Sequence, residues 1–325
     1  MANMKALQIM APDQVEIVSC PIPEPGAGQV LVRVSEVNTC PQWDLHILSG
    51  RPMFARQSSI PYPYPIGQPA HEMTGTVAGL GAGVTEFQVG DQVSSWKDQG
   101  QDRLGCYAQY ALFEAENLLP VPDGVDPART TSLELAMCIS TTILDLVRWN
   151  GLKNQRVGIS GLGPAGLVAA QLARAEGASE IVGFEPNPTR AEFAADWCID
   201  RAIDPTSPEG RAFPTRSSKQ ALDTSIDCVG AAASFHYLMD HTREVVAVFG
   251  VQREDFLYHH AGLRLFGYPG HHRQGAEYAM QRIVEGKLDL LPLTSARLPL
   301  ERYIEGIELL RQQEALKICY LPWES

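Results

Sequence analysis

His71 and Glu72 stand side by side in GQPAHEMTGTVAGLGAGV, just ahead of a run of glycines. Imidazole and carboxylate can both bind a metal ion, and both can handle protons. Nothing local decides between half of a metal site and a polar pair at the start of a strand. A second stretch is more specific. Gly161-Leu162-Gly163-Pro164-Ala165-Gly166 satisfies G-x-G-x-x-G, and Glu185 follows 19 positions after Gly166. Gly161 permits a tight turn, Gly163 lets backbone approach a pyrophosphate, and Gly166 lets helix and strand pack closely. The free N–H groups and positive dipole end of the following helix suit phosphate. Pro164 falls in the first turn, where a missing N–H costs little. Glu185 can accept hydrogen bonds from ribose hydroxyls and would repel a 2′-phosphate, which favours NAD over NADP. Arg190, five residues on, is the group that could instead accommodate that phosphate, and it is read here as a solvated residue or a partner of Glu185.

The fingerprint needs a strand before it and a helix after it. QRVGISGLGPAGLVAAQLARAEGASEIVGFE supplies a short apolar strand (156–160), a glycine turn, a helix reaching Gly177 and a second apolar strand (181–185). TSIDCVG and VVAVFG continue the alternation, which reads as a doubly wound parallel sheet. The preceding part has a different texture. QVLVRVSEV, GDQVSSW and CYAQYALFE read as strands of a β-rich domain. The segment from Gly50 to Pro69 reads as a long proline-rich loop, and with Trp43 it is expected to line a pocket. A helix is expected from Asp126-Pro127 onward, and IEGIELLRQQEALKICYLP reads as a helix followed by a strand. The class is α/β.

At 325 residues the chain can hold two domains, each with its own core. Its net charge of -12 argues against nucleic acid as a partner. It contains no apolar run long enough for a membrane span, and its N-terminus reaches acidic residues too early for a secretory signal. The seven cysteines are odd in number and irregularly spaced, without a C-x-x-C, so reduced thiols in the cytoplasm are expected. The pairs His259-His260 and His271-His272 read as solvated loop histidines.

With these residues on the page the chain resembles the medium-chain dehydrogenase/reductase family, in particular its zinc-dependent alcohol, polyol and threonine dehydrogenases. Ala70-His71-Glu72, Gly75, Gly81 and Val84 follow the family's zinc signature, with Ala70 in place of its first glycine. VTEFQVGDQV and RLPLERYIEGIELLRQQEALKICYLP are also similar to family segments. The resemblance implies a GroES-like catalytic domain (1–137), an NAD-binding Rossmann domain (138–276) and a return to the catalytic domain (277–325). It implies Cys40 and His71 as ligands of one catalytic zinc, with the third ligand in LELAMCIS: Cys138 is the expected choice and Glu134 the alternative. Glu72 would stand behind the ligands. Asp44 and His46 fall on the family's Asp and His, a possible proton relay, but one residue is inserted after Cys40 and Trp43 replaces the usual hydroxyl residue. The four-cysteine lobe that holds a structural zinc in the family is missing; only Cys106 falls in that region.

The expected activity is NAD-dependent interconversion of an alcohol and its aldehyde or ketone. The competing readings are a zinc-free reductase of enones or quinones and a non-catalytic NAD(H) sensor. A homodimer or homotetramer is expected through the apolar strand GLRLFGYP (262–269), because an uncovered apolar edge is an aggregation hazard.

Overall fold

The computed structural model describes residues 2–53, 59–98, 100–252 and 254–325. The middle of the Gly50–Pro69 loop, residues 54–58, therefore lies outside the described residues. Contacts divide the chain into one unit of Met1–Leu135 with Asp289–Ser325, and a second of Ala136–Leu288.

The first unit begins with the antiparallel hairpin β1 (Asn3–Ala11) and β2 (Gln14–Pro21). Then come β3 (Gln29–Asn38), helix α1 (Pro41–Leu48), β4 (Glu72–Leu80), β5 (Gln92–Ser95), β6 (Tyr110–Glu114) and β7 (Leu118–Pro120). Alternation in β3 puts Val30, Val32 and Val34 in the core and Arg33 outside. Asp126 caps only a short 3-10 turn, Pro127–Thr130, by accepting from the Ala128 N–H at 3.1 Å. Helix α2 (Leu133–Arg148) starts later than expected and crosses the division between the units.

The second unit alternates β8 (Arg156–Ser160), α3 (Pro164–Ala175), β9 (Glu180–Phe184), α4 (Pro188–Trp197), β10 (Arg201–Ile203), α5 (Pro208–Arg211), β11 (Leu222–Asp227), α6 (Ala232–His241), β12 (Thr242–Val248), β13 (Arg264–Gly267) and α7 (Arg273–Val284). Its six strands are parallel in the order β10-β9-β8-β11-β12-β13. This is the Rossmann order, with β13 at an edge. The division at 288/289 falls twelve residues after the expected 276. Helix α7 stays with this unit because Gly275 lets it lie almost in contact with α2: a Cβ there would come within 2.7 Å of Thr141 Cγ2 and 3.0 Å of the Met137 carbonyl oxygen.

The chain then returns to the first unit as β14 (Thr294–Pro299), α8 (Tyr303–Arg311) and β15 (Lys317–Leu321). These strands complete a seven-stranded sheet in the order β14-β15-β3-β4-β5-β7, with β6 also paired to β3. The register sets Asn38 opposite both Glu72 and Cys319. The end of β3, the start of β4 and the start of β15 thus meet at one end of the sheet. Leu7, Ile9, Val32, Met73, Phe113, Ile307 and Ile318 belong to the core beneath it.

Candidate active site

Cys40 is the N-cap residue of α1, with Pro41 in the first turn. The reactive groups of Cys40, His71 and Glu72 lie within 4.8 Å of one another. Close backbone approaches fix the strand that carries the last two. A Cβ on Gly75 would lie 2.4 Å from the Arg33 carbonyl oxygen of β3, and one on Gly81 would lie 1.6 Å from that of Gly26. These signature glycines therefore set the strand and turn behind His71 rather than touch a ligand.

The His71 ring is held from behind. Its Nδ1 lies 2.9 Å from the Pro69 carbonyl oxygen, which can only accept, so Nδ1 carries the proton. Nε2 then faces Cys40 and the Glu134 carboxylate, whose Oε2 is 3.6 Å away. Desolvation pulls the His71 pKa down, but the Cys40 hydrogen bond and the Glu134 charge outweigh it and hold the pKa well above its ordinary value. Burial pushes the Cys40 thiol up, against the lowering effect of His71. A buried imidazole nitrogen facing a thiol and a carboxylate must hold either a proton or a cation. Thiol, imidazole and carboxylate are the donors zinc takes.

Glu72 is turned to another partner. Lys317 Nζ lies 2.6 and 2.7 Å from its two oxygens and also donates to the Thr39 carbonyl at 2.6 Å. Both side chains are 1% exposed. Burial pushes the Glu72 carboxyl up while the ammonium pulls it back. Asp44 is also buried, and its Oδ1 accepts hydrogen bonds from Tyr107 at 2.7 Å and Tyr303 at 2.8 Å. Desolvation raises its pKa to about 6 against these bonds. His46 is half-buried, with Nδ1 3.0 Å from the Pro52 carbonyl oxygen. The two members of the expected relay thus hold different partners. Trp43 packs against the core of its unit.

Of the two candidates for a third ligand, Glu134 shares a unit with His71. Cys138 sits one turn further along α2, in the second unit, where its sulfur accepts from the Tyr268 hydroxyl at 3.2 Å. Cys106 is core, its thiol pushed up by burial.

In the second unit each fingerprint glycine has a separate physical role. Gly161 has φ +82, and its N–H donates to the Phe184 carbonyl at 2.9 Å. A Cβ on Gly166 would lie 1.9 Å from the Gly161 carbonyl oxygen, whereas one on Gly163 would meet nothing within 4 Å. Gly163 is the N-cap of α3, and Pro164 and Ala165 begin its half-exposed first turn. This leaves open backbone at a helix N-terminus, as a pyrophosphate requires. Glu185 is held by the N–H groups of Leu162 at 2.9 Å and Asn187 at 3.0 Å. The Arg190 side chain makes no ion pair with Glu185; its Nε is buried without a hydrogen-bond partner among the described residues.

Four supporting residues, Lys317, Tyr107, Tyr303 and Asp227, stand outside the expectations drawn from the sequence. Lys317 could have been noticed as a lone cation opening an apolar strand. Tyr107 and Tyr303 carry no comparable signal. Asp227 organises the glycine turn from behind: its carboxylate accepts from Ser234 Oγ at 2.6 Å and the Gly230 N–H at 2.9 Å, and Ser234 reaches Ser160 at 2.6 Å.

Two family profiles match the chain. The alcohol dehydrogenase GroES-like domain matches residues 26–123 and the zinc-binding dehydrogenase domain residues 164–258. L-threonine 3-dehydrogenase of Rhizobium johnstonii is 26% identical, over 99% of this chain and 100% of its own. The crystal structure of 2R,3R-butanediol dehydrogenase from Bacillus subtilis superposes with TM-score 0.81 at 20% identity, covering 98% of this chain and 99% of that one. An alcohol dehydrogenase from Escherichia coli complexed with NADH gives TM-score 0.84 at 19% identity over the same shares, 98% and 99%. At such identities the structural likenesses speak for the fold. Among the described residues no helix is long and apolar enough to cross a membrane. Two family domains in the expected order, full-length relatives and the shared fold place the chain among the zinc-dependent, alcohol dehydrogenase-like oxidoreductases of the medium-chain dehydrogenase/reductase superfamily.

Proposed function

We propose that this enzyme interconverts an alcohol and its aldehyde or ketone with NAD(H), at a single catalytic zinc held by Cys40, His71 and Glu134. The observation that carries the reading is the buried His71 Nε2, facing the Cys40 thiol and the Glu134 carboxylate 3.6 Å away. Glu134 takes the place expected of Cys138 because it is the acidic group at His71. When bound, zinc supplies Lewis-acid polarisation of the substrate oxygen.

The chain's own groups do the rest. The Pro69 carbonyl keeps the Nδ1 proton in place, so Nε2 is the nitrogen that would give its lone pair to the metal once its own proton is displaced. Lys317 neutralises Glu72 and keeps its carboxylate behind His71. The open backbone at Gly163 takes the pyrophosphate, and Glu185 takes the adenosine ribose and disfavours a 2′-phosphate. Asp44 ties α1 to the start of α8 through Tyr303 and to the segment before β6 through Tyr107. No four-cysteine lobe is available for a structural zinc, since the region that would carry it has only Cys106.

Metal analysis of wild-type, His71→Ala, Glu134→Gln and Cys138→Ser proteins tests this assignment. The expected result is the catalytic zinc equivalent present in the wild type and in Cys138→Ser, and loss of that one equivalent and of turnover in the other two, with NADH binding retained in all. Full occupancy in Glu134→Gln with loss in Cys138→Ser would return the third position to the thiol. A zinc-free wild type that reduces enones would replace the reading altogether. L-Threonine and 2,3-butanediol, after which two of the relatives are named, head the substrate panel.

A further inference from the structure

His259 and His260 read as solvated loop residues in the sequence, yet the fold turns both rings onto one carboxylate. His260 Nε2 lies 2.6 Å and His259 Nε2 3.7 Å from the same oxygen, Oδ1 of Asp240. Consecutive side chains in extended backbone point to opposite sides, so convergence of this kind needs a local bend. The ring centroids are 4.2 Å apart. Both rings approach the same carboxylate oxygen rather than one oxygen each.

Tautomer chemistry narrows what the second ring can do there. His259 Nδ1 is 3.2 Å from the Leu257 carbonyl oxygen, an acceptor, so the ring proton belongs on Nδ1. With that proton on Nδ1, Nε2 faces a carboxylate oxygen, a contact that is favourable only with a proton or a metal ion between them. An N–H fixed to a backbone carbonyl is also the usual way a metal-binding histidine is oriented. His236, the third ring nearby, is committed elsewhere, since its Nε2 accepts from the Leu257 N–H at 3.1 Å.

The surroundings favour positive charge. Asp240 is the penultimate residue of α6, at the helix end that attracts cations. The guanidinium of Arg216 goes to the carbonyls of Thr242, Arg243 and Ala261 and not to Asp240. All three donor atoms lie within 4.8 Å of one another. The separations of 2.6 and 3.7 Å from the shared oxygen bracket the roughly 3.3 Å that tetrahedral zinc, with ligand bonds of about 2.0 Å, sets between donors. His260 is 19% exposed at its side chain, whereas His259 and Asp240 are 46% and 48% exposed, leaving room for water on the open side.

We propose that Asp240, His259 and His260 form a second metal site, wholly within the Rossmann unit, for a first-row divalent cation such as zinc, and that the ion pins the segment leading into β13 against the end of α6. Two imidazoles and one carboxylate with water on the open side suit zinc, nickel or copper better than calcium or magnesium, which prefer all-oxygen shells.

Equilibrium dialysis of the full chain against zinc, read by elemental analysis, tests the proposal. The wild type should bind one more equivalent than His259→Ala/His260→Ala, and Asp240→Asn should weaken that equivalent. Hydrogen exchange supplies the second measurement: zinc should slow exchange in residues 254–263 of the wild type and not in the double variant. Copper offered to the wild type should give an electron paramagnetic resonance spectrum with coupling to two imidazole nitrogens, absent from the double variant. Thermal melts without metal confirm that the variants fold. Equal stoichiometry and affinity in wild type and double variant, with no zinc-dependent protection of 254–263, would overturn the site.

Discussion

Glu72 and Lys317 form a buried ion pair in which each charge depends on the other. Removing one partner of such a pair costs far more than replacing both, because the survivor is left uncompensated away from water. Lys317→Met should therefore lower unfolding free energy by about 3–5 kcal/mol, and Lys317→Met/Glu72→Gln should recover much of the loss. Chemical denaturation of the two single variants and the double variant measures both. Equal losses in Lys317→Met and the double variant would show that Lys317 acts through packing alone. Glu72→Gln by itself should keep its zinc and lose turnover by about 10- to 100-fold, the usual size for a group acting through a ligand. A metal-free Glu72→Gln protein would instead make Glu72 a ligand.

The fingerprint helix α3 separates binding from packing within one motif. Gly166 is packed against Gly161, so Gly166→Ala should destabilise the fold by about 1–3 kcal/mol through overpacking. Gly163 faces open space, so Gly163→Ala should leave the melting temperature unchanged while weakening NADH binding. A thermal melt and a fluorescence titration on each variant check the contrast; identical effects on both properties would remove the distinction. At the far end of the same βαβ unit, Glu185 is held by two backbone N–H groups and cannot easily turn away from a 2′-phosphate. NAD(H) should bind at least tenfold more tightly than NADP(H), roughly 1.4 kcal/mol. Equal affinity would hand the position to Arg190.

At the scale of the whole molecule the exposed edge matters most. Strand β13 ends the six-stranded sheet, and Phe266 on it packs edge-on against Trp149, which is 47% exposed. An apolar, unpaired edge beside an exposed aromatic ring invites pairing with a second copy across a two-fold axis. Sedimentation at micromolar concentration should find at least a dimer, and Phe266→Lys should shift it toward monomer. A monomeric wild type would contradict this.

Much of this protein is written in local residue order. The βαβ unit, its three glycines and the acidic residue beyond it are legible because turn geometry, helix capping and phosphate approach are decided within about thirty residues. The pattern from Ala70 to Val84 is legible only as a signature, since the contacts that forbid a Cβ at Gly75 and Gly81 come from Arg33 and Gly26, far outside that stretch. Other features depend on residues far apart in the chain. Lys317 stands 245 positions from Glu72, and Tyr303 stands 259 from Asp44. No periodicity in either segment announces the other: β15 returning beside β3 brings Lys317 to Glu72, and α8 returning to α1 brings Tyr303 to Asp44. The choice of Glu134 as the acid facing His71 follows the same rule, since one turn of α2 separates it from Cys138 and sequence spacing cannot say which end of that turn meets the ring. His259 and His260 carry the lesson furthest. As two neighbouring loop histidines they imply only solvent, and their meaning comes from Asp240, which the parallel β11-α6-β12 crossover sets opposite them. Short-range order decides backbone shape; which charges meet is decided by the tertiary fold, because burial makes an unpaired charge costly wherever its partner lies in the chain.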